Sequence, residues 1–402
     1  MASARNPFAK SRAMPGEGEI VLSLLPPDKQ VLTKFEYQYP LKLISPDPHK
    51  VTVTNHDHDA NSPSPTRDIP ITTVFLLTYG GGLLAGDSIN LTVTLEPNTR
   101  LALLTQGSTK IFKSNPSAST TPATSSTGQT LPLPVKSPFG TPTNQPSRQI
   151  LNVKISPHSS LCYLPDPSQP YADSIYTQSQ TFYVDPFGSS SLLLLDWVNS
   201  GRPALNEKWA LTSWKGRNEV REFDETSKGR LLVRDALLLF DDDDDKHNPA
   251  ALSAKTDGKG ILGTLVIYGP LFKSLANFFL KEFKSLPRIG AKNWSRTPGP
   301  RTPSIRSPMI REEDEDGADD YFGPKITSTA APGAVPTTPR ARQRKEEETE
   351  GLLWTAAQVR GFVLVKFGAA DVDGARRWLG GMLKREGSVE REFGHQATLC
   401  LR

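Results

Sequence analysis

Cysteine is nearly absent. Two thiols, Cys162 and Cys400, in 402 residues exclude a disulfide framework and suit a cytoplasmic protein. Histidine is also scarce, and six scattered imidazoles are a poor stock for acid–base catalysis. No apolar run approaches the ~18 residues of a membrane span, and residues 1–19 lack the apolar core of a signal peptide, so no membrane partner is expected. Neither charge dominates. The 47 basic and 43 acidic residues leave a net +4, too mild to point to nucleic acid. Only 36% of the chain is hydrophobic, while proline is plentiful at 35 residues, so part of the chain is not expected to pack.

Composition divides the chain. Residues 1–19 read as a disordered lead. Residues 114–147 are almost all Ser, Thr, Pro, Asn and Gln, with one charge at Lys136. Such a segment buries too little to offset its ordering entropy and reads as a disordered insert. Residues 287–350, basic as far as Arg311 and then acidic to Asp320, read as a second. Residues 45–70 and 241–258 read as loops, the latter opening on the acid run from Asp241 to Asp245. What remains, from 20 to 402, reads as one domain.

Strand patterns fill that domain. Ile89, Leu91, Val93 and Leu95 alternate with polar residues, the period of a half-buried strand. Pro97 suits a turn, and Leu101 to Leu104 returns. The same unit recurs at Leu151-Asn-Val-Lys-Ile155, Pro157 and Leu161-Cys-Tyr-Leu164. Placing Pro157 on Pro97 sets Leu151 on Leu91, Val153 on Val93, Ile155 on Leu95 and Leu161 on Leu101. A looser copy runs from Phe182 through Pro186 to Leu195, and a fourth candidate joins Val220–Phe223 to Gly229–Val233. Repeated units that cannot each bury a face alone imply stacking. The expected fold is mainly β, with stacked hairpins in a β-helix-like or solenoid-like core; ordinary hairpins in a sandwich are the plainer alternative. Two helices are expected in the C-terminal half. One is opened by Pro270 and carries Leu275, Phe278 and Phe279. The other is capped by Asp371 and carries Ala375, Trp378, Leu379 and Met382. A strand is expected over 359–365, and the tail 396–401 reads as a last strand.

The densest glycine cluster is Thr78-Tyr-Gly-Gly-Gly-Leu-Leu-Ala-Gly-Asp87. It comes within one residue of a phosphate-binding loop, but Asp87 stands where the lysine belongs and would repel phosphate. A dinucleotide fingerprint must open a helix, whereas Ile89 onward reads as strand. The turn is better read as backbone needing positive φ, with Asp87 accepting backbone N–H groups.

His56 and His58 fall on one side of any extended run and could hold a divalent metal, although such a loop is more often simply solvated. Cys162 lies in a strand and reads as core, with a metal or redox role as the sharper alternative. His158 sits in a turn and reads as exposed. Residues 105–110 are polar and follow a strand, a plausible partner surface. No Ser-His-Asp arrangement or catalytic carboxylate pair assembles from the pattern. Two other classes of reading remain: a small-molecule enzyme using Asp87 or Glu207, and a cytosolic adaptor acting through its inserts.

Five segments in this order resemble the urease accessory protein UreD/UreH family. They are the glycine turn closing on Asp87, Thr105-Gln-Gly-Ser-Thr-Lys110, Tyr163-Leu-Pro-Asp-Pro167, Leu195-Asp-Trp-Val-Asn-Ser-Gly-Arg202, and Glu207. Ala85 and Asn206 depart from glycines of the family pattern. The likeness covers 20–240 well and 260–402 thinly, with both inserts outside it, as in an enlarged eukaryotic member. It implies a β-helix-like stack with two helices, and a maturation factor without turnover of its own. The implied partners are apo-urease and a UreF-like protein, with a UreG-like GTPase joining through UreF. No tightly bound cofactor is implied, only transient passage of nickel toward urease, for which a water-filled route has been suggested. Carried onto this chain, Thr105, Gln106, Thr109, Lys110, Arg202 and Glu207 become partner surface or passage lining, beside the turn residues Gly82 and Gly86. Asp87, Asp166, Asp196 and Glu207 become weak oxygen donors.

Overall fold

A computed structural model describes residues 14–54, 66–114, 146–224, 229–240, 249–286, 347 and 349–402. Those before 285 and after 346 form one unit. The chain enters through β1 (Glu17–Leu25) and β2 (Lys29–Tyr37), then β3 (Leu41–Ile44), β4 (His49–Thr54) and the long β5 (Thr66–Thr78). The glycine turn leads through β6 (Gly82–Leu83) to β7 (Ser88–Leu95), β8 (Arg100–Leu104) and β9 (Lys110–Ile111). The pattern repeats as β10 (Ser147–Ile155), β11 (Ser160–Tyr163) and β12 (Gln169–Pro170), and again as β13 (Ile175–Val184) and β14 (Ser191–Asn199). A small hairpin, β15 (Gly201–Arg202) with β16 (Glu207–Lys208), precedes β17 (Ser213–Glu222) and β18 (Leu231–Phe240). Helix α1 (Pro249–Lys255), β19 (Ile261–Tyr268), α2 (Lys273–Lys284), β20 (Leu353–Val359), β21 (Phe362–Ala369), α3 (Val372–Glu386) and α4 (Ser388–Phe393) follow.

The fold is mainly β. Its first sheet runs β18-β17-β13-β10-β7-β1-β2, and its second runs β20-β21-β19-β14-β11-β8-β5-β3, with β4 on β5. The repeat alignment matches strand pairing: Leu151 lies beside Leu91, Val153 beside Val93, Ile155 beside Leu95 and Leu161 beside Leu101, all in parallel register. Phe182 and Leu192 extend the same rows. The units, however, are not hairpins. Each turn carries the chain from the first sheet to the second, so β7 and β8 belong to different sheets. The apolar sides of both strands face each other and build the core, with Leu91, Val93, Val153 and Phe182 opposite Leu103, Leu161 and Leu194. Each such side chain contributes roughly 1.5–3 kcal/mol on burial. The turns stack as well, with Asn98 N donating to Pro157 O (3.2 Å) and Ser160 N to Thr99 O (2.9 Å).

Nor is the whole a solenoid. The sheets are open and mixed, because β2 and β18 close the first sheet antiparallel and β19–β21 extend the second antiparallel. The fourth repeat candidate is a true hairpin, β17 against β18 in one sheet. The strand expected over 359–365 is a hairpin too, turning through Arg360 (φ 48°) and Gly361 (φ 84°) between β20 and β21.

Both expected helices are present as α2 and α3, but α1 and α4 join them, and the tail folds as a 3-10 helix (His395–Leu401) rather than a strand. It packs Ala397, Cys400 and Leu401 inward. The lead is shorter than expected: β1 begins at Glu17, held against Asn90 of β7. The 45–70 stretch carries β4, which pairs with β5 and whose His49 Nε2 meets Phe393 O at 2.9 Å. The 241–258 stretch carries α1. Most of both proposed inserts lies outside the described residues. Helices α2 and α3 cover the outer face of the second sheet through Phe279, Trp354, Phe367 and Trp378. Burial on both faces is why 192–195 is an unbroken leucine run.

Candidate partner rim and internal polar seam

Each return from the second sheet to the first passes along one rim, and the motif segments meet there. Strands β6, β9 and β12 form a small parallel sheet, with Gly82 beside Lys110 and Lys110 beside Gln169. Gly82 is required by close approach: a Cβ there would lie 2.4 Å from Lys110 O. Gln169 ties two further returns, its N–H donating to Thr109 O and its Nε2 to Gly201 O, both at 2.8 Å.

The glycine turn is closed by its own residues. Gly80, Gly81 and Gly86 have φ of 73°, 75° and 83°, and Asp87 Oδ2 accepts Leu84 N at 2.8 Å. Ala85 has no positive φ and so does not need to be glycine. Asn206 does have one (59°), in a left-handed position that asparagine tolerates.

Asp166 anchors the 105–110 segment. Its Oδ2 accepts Thr105 Oγ1 (3.1 Å) and Gly107 N (2.7 Å), and its own N–H donates to Thr105 Oγ1 (2.7 Å). Gln106 and Lys110 remain exposed. Next along the rim, Arg202 grips Glu207 with two bonds, Nε to Oε2 at 2.7 Å and Nη2 to Oε1 at 2.6 Å, and stacks on Tyr171 at 3.9 Å. The pair is partly exposed, so Glu207→Gln is expected to cost about 1 kcal/mol in denaturant unfolding. Unchanged stability would show that the pair does not hold this hairpin.

Asp196 lies apart from these, between the sheets. It accepts Gln178 Nε2 (2.8 Å) on Oδ1 and Asn218 Nδ2 (2.6 Å) on Oδ2. Tyr176 links Gln178 to Gln149 (3.4 and 3.1 Å), giving a hydrogen-bonded polar seam through an otherwise apolar interior. Gln180 Oε1 and Asn218 Oδ1 are buried acceptors without a partner among the described residues. The open side of Asp196 faces a cavity of about 160 Å³, which also contacts Asp235 and Lys366, themselves paired at 2.5 Å. Burial pushes the Asp196 carboxyl up, against Asn218 and Gln178, with Asp235 adding to the rise and Lys366 opposing it. Burial likewise raises the Tyr163 and Tyr176 hydroxyls, so both stay protonated.

Of the metal candidates, His56 and His58 lie outside the described residues. Cys162 is fully buried, and burial pushes its thiol far up, which opposes the thiolate a metal needs. Among the described residues no group of three His, Cys, Asp or Glu is placed to hold a metal ion, and no helix is long and apolar enough to cross a membrane.

The structure thus joins Gly82, Thr105, Gln106, Thr109, Lys110, Asp166, Arg202 and Glu207 on one rim, sets Gly86 and Asp87 at its glycine end, and leaves Asp196 inside. The family model described as UreD urease accessory protein matches residues 16–307, and the chain belongs to that family. Urease accessory protein 4 of Cryptococcus neoformans var. grubii is 30% identical over 295 residues, 69% of this chain and 76% of that protein. An uncharacterized urease accessory protein ureD-like of Schizosaccharomyces pombe is 23% identical over 343 residues, 85% of this chain and 84% of the other. Urease accessory protein D of Oryza sativa subsp. indica is 24% identical over 261 residues, 65% and 68% respectively.

Gln149, Gln178, Asn218 and Asp235, and also Arg376 and Lys366, belong to no motif visible in the sequence. The signal for the first group is polar residues at inward positions of alternating strands, as in Tyr176, Gln178 and Gln180 of β13.

Proposed function

We propose that the chain is a urease-maturation scaffold. It binds apo-urease and a UreF-like accessory protein, with a UreG-like GTPase joining through UreF, so that nickel reaches the urease active site. The observation that carries this reading is the rim: segments spread from Gly82 to Glu207 converge on one surface. Around it stand exposed apolar and aromatic side chains, Tyr39, Tyr79, Leu84 and Leu205, with the two tyrosine rings 5.6 Å apart. Tyrosine and arginine at a partly apolar patch are the composition of interface anchors. Two such interfaces, each burying roughly 1,200 Å² or more, would hold the assembly.

The seam is the proposed lining of a passage. Asp196, Asp235 and the orphan amide oxygens of Gln180 and Asn218 offer oxygen donors, which hold nickel more loosely than imidazole or thiolate. A cargo ion needs that looseness to move on. Buried acceptors of this kind also suit ordered water. No tightly bound cofactor is part of this reading. The two carboxylates of the enzymatic alternative are both engaged, Asp87 by its own turn and Glu207 by Arg202. The domain is read as single, interrupted by the inserts, and its setting as cytoplasmic.

Co-expression with urease subunits and UreF- and UreG-like proteins tests this. The full chain is expected to co-purify with urease and to raise its nickel content. Asn218→Leu is expected to keep co-purification and lower activation several-fold. Urease that matures equally well without this chain overturns the scaffold. Loss of capture on replacing 115–145 and 287–346 with short linkers, the rim being intact, would favour the adaptor acting through its inserts.

A further inference from the structure

We infer that Arg376 is a positioning residue for the 105–110 segment, so that the C-terminal part of the chain, beyond the family match, sets the shape of the rim. Arg376 lies on α3, more than two hundred residues from the loop it reaches. One guanidinium joins three parts of the molecule. Its Nη2 donates to Asp166 Oδ1 at 2.7 Å, its Nε donates to Cys400 O at 3.1 Å, and its Nη1 lies 3.7 Å from Asp373 Oδ1. Asp166 turns its other oxygen to Thr105 Oγ1 and Gly107 N. Cys400 Sγ donates to Thr105 O at 3.2 Å. The bonds close a ring: Thr105, Asp166, Arg376, Cys400 and back to Thr105.

The ring has the features of a fixed joint. The Asp166 side chain is 7% exposed and that of Arg376 25%, so water screens their pair weakly. Helix α3 is itself held. Asp371 Oδ1 accepts Gly374 N at 2.7 Å at its start, Gly387 closes its end in the left-handed conformation, and Trp378, Leu379 and Met382 are buried beneath it. Gln106 and Gly107, next to the joint, are exposed. Geometry matters here as well as charge. A planar fork can bond Asp166 and the Cys400 carbonyl together, whereas a lysine supplies one point charge.

The functional half of this inference rests on the scaffold reading, so its test has a readout that needs no partner. Hydrogen exchange is followed in the full chain carrying Arg376→Lys, and in a second variant, Asp166→Asn with Arg376→Gln, which removes both charges and so avoids a buried unpaired carboxylate. In both, exchange of the Gly107 amide is expected to speed up about tenfold or more while β10 and β13 keep their protection. Capture of urease and the UreF-like partner by these variants is expected to fall about tenfold. Wild-type exchange over 105–109 in both variants overturns the inference. So does exchange that rises evenly across the sheets, which would make Arg376 a general fold residue, and so does a local rise with capture unchanged. If the unsubstituted chain captures no partner, the scaffold reading fails, and the local exchange still decides whether Arg376 positions the loop.

Discussion

Gly201→Ala is expected to lower the stability of the chain by about 2–5 kcal/mol and to abolish capture of urease. Two costs add. Gly201 has φ of 97°, and a side chain held at positive φ costs roughly 1–2 kcal/mol. Its new Cβ would lie 2.7 Å from both Glu207 O and Pro170 O, each a backbone atom that no rotamer change can move aside. Forced overpacking of that kind costs about 1–3 kcal/mol. The displaced strands are β12 and the β15–β16 hairpin, and Gln169, which bonds Gly201 O, would lose its hold on the neighbouring return. Gly82→Ala is the comparison. Its backbone is extended (φ −175°), so it carries the clash without the strain and should cost about 1–3 kcal/mol. Denaturant midpoints of the two variants would order them. A Gly201→Ala chain with the wild-type midpoint and normal capture would remove the rim from the account.

Much of the framework is readable in the sequence, and the misreadings have physical causes. Aligning Pro157 on Pro97 places Leu151 on Leu91 and Leu161 on Leu101, and those residues are true neighbours. Copies of one unit stack in register because each row must bury like against like. A strand, a proline turn and a strand read alike, however, whether the second strand folds back on the first or crosses to a facing sheet. Inward leucines satisfy both, and only the partners of β7 and β8 tell an arch from a hairpin. The tail misleads for a related reason: a short segment such as 396–401 carries no period of its own, and packing beside α3 decides its form.

The site divides the same way. Segments such as Thr105-Gln-Gly-Ser-Thr-Lys110 are legible as words, and so is the turn chemistry of Asp87. What holds them is not. Asp166 and Arg376 are 210 positions apart, and the bond between them depends on where α3 lies after the second sheet is built. The seam is hidden differently. Gln149, Gln178 and Asn218 fall in phase with the inward apolar residues of their strands, but their partners come only with the folded core, where Asp196 of the facing sheet accepts from Gln178 and Asn218 and Tyr176 donates to Gln149.

The joint at Asp166 gives the other large expected effect. Arg376→Ala is expected to destabilise the chain by about 3–5 kcal/mol, because it leaves a nearly buried carboxylate without its cation. Asp166→Ala should cost less. Arg376 is a quarter exposed and still has Asp373 within 3.7 Å, so its charge can turn outward to solvent, and the loss is mainly the acceptor for Thr105 Oγ1 and Gly107 N. A lost hydrogen-bond acceptor of that kind costs roughly 1–3 kcal/mol. Since each substitution removes the same ring, the double variant should fall well short of the sum of the two singles. Guanidinium unfolding of the three chains measures all of this. If Arg376→Ala costs under about 1 kcal/mol, the value of an exposed pair, or if the singles simply add, then the ring does not act as a unit and α3 does not brace the rim.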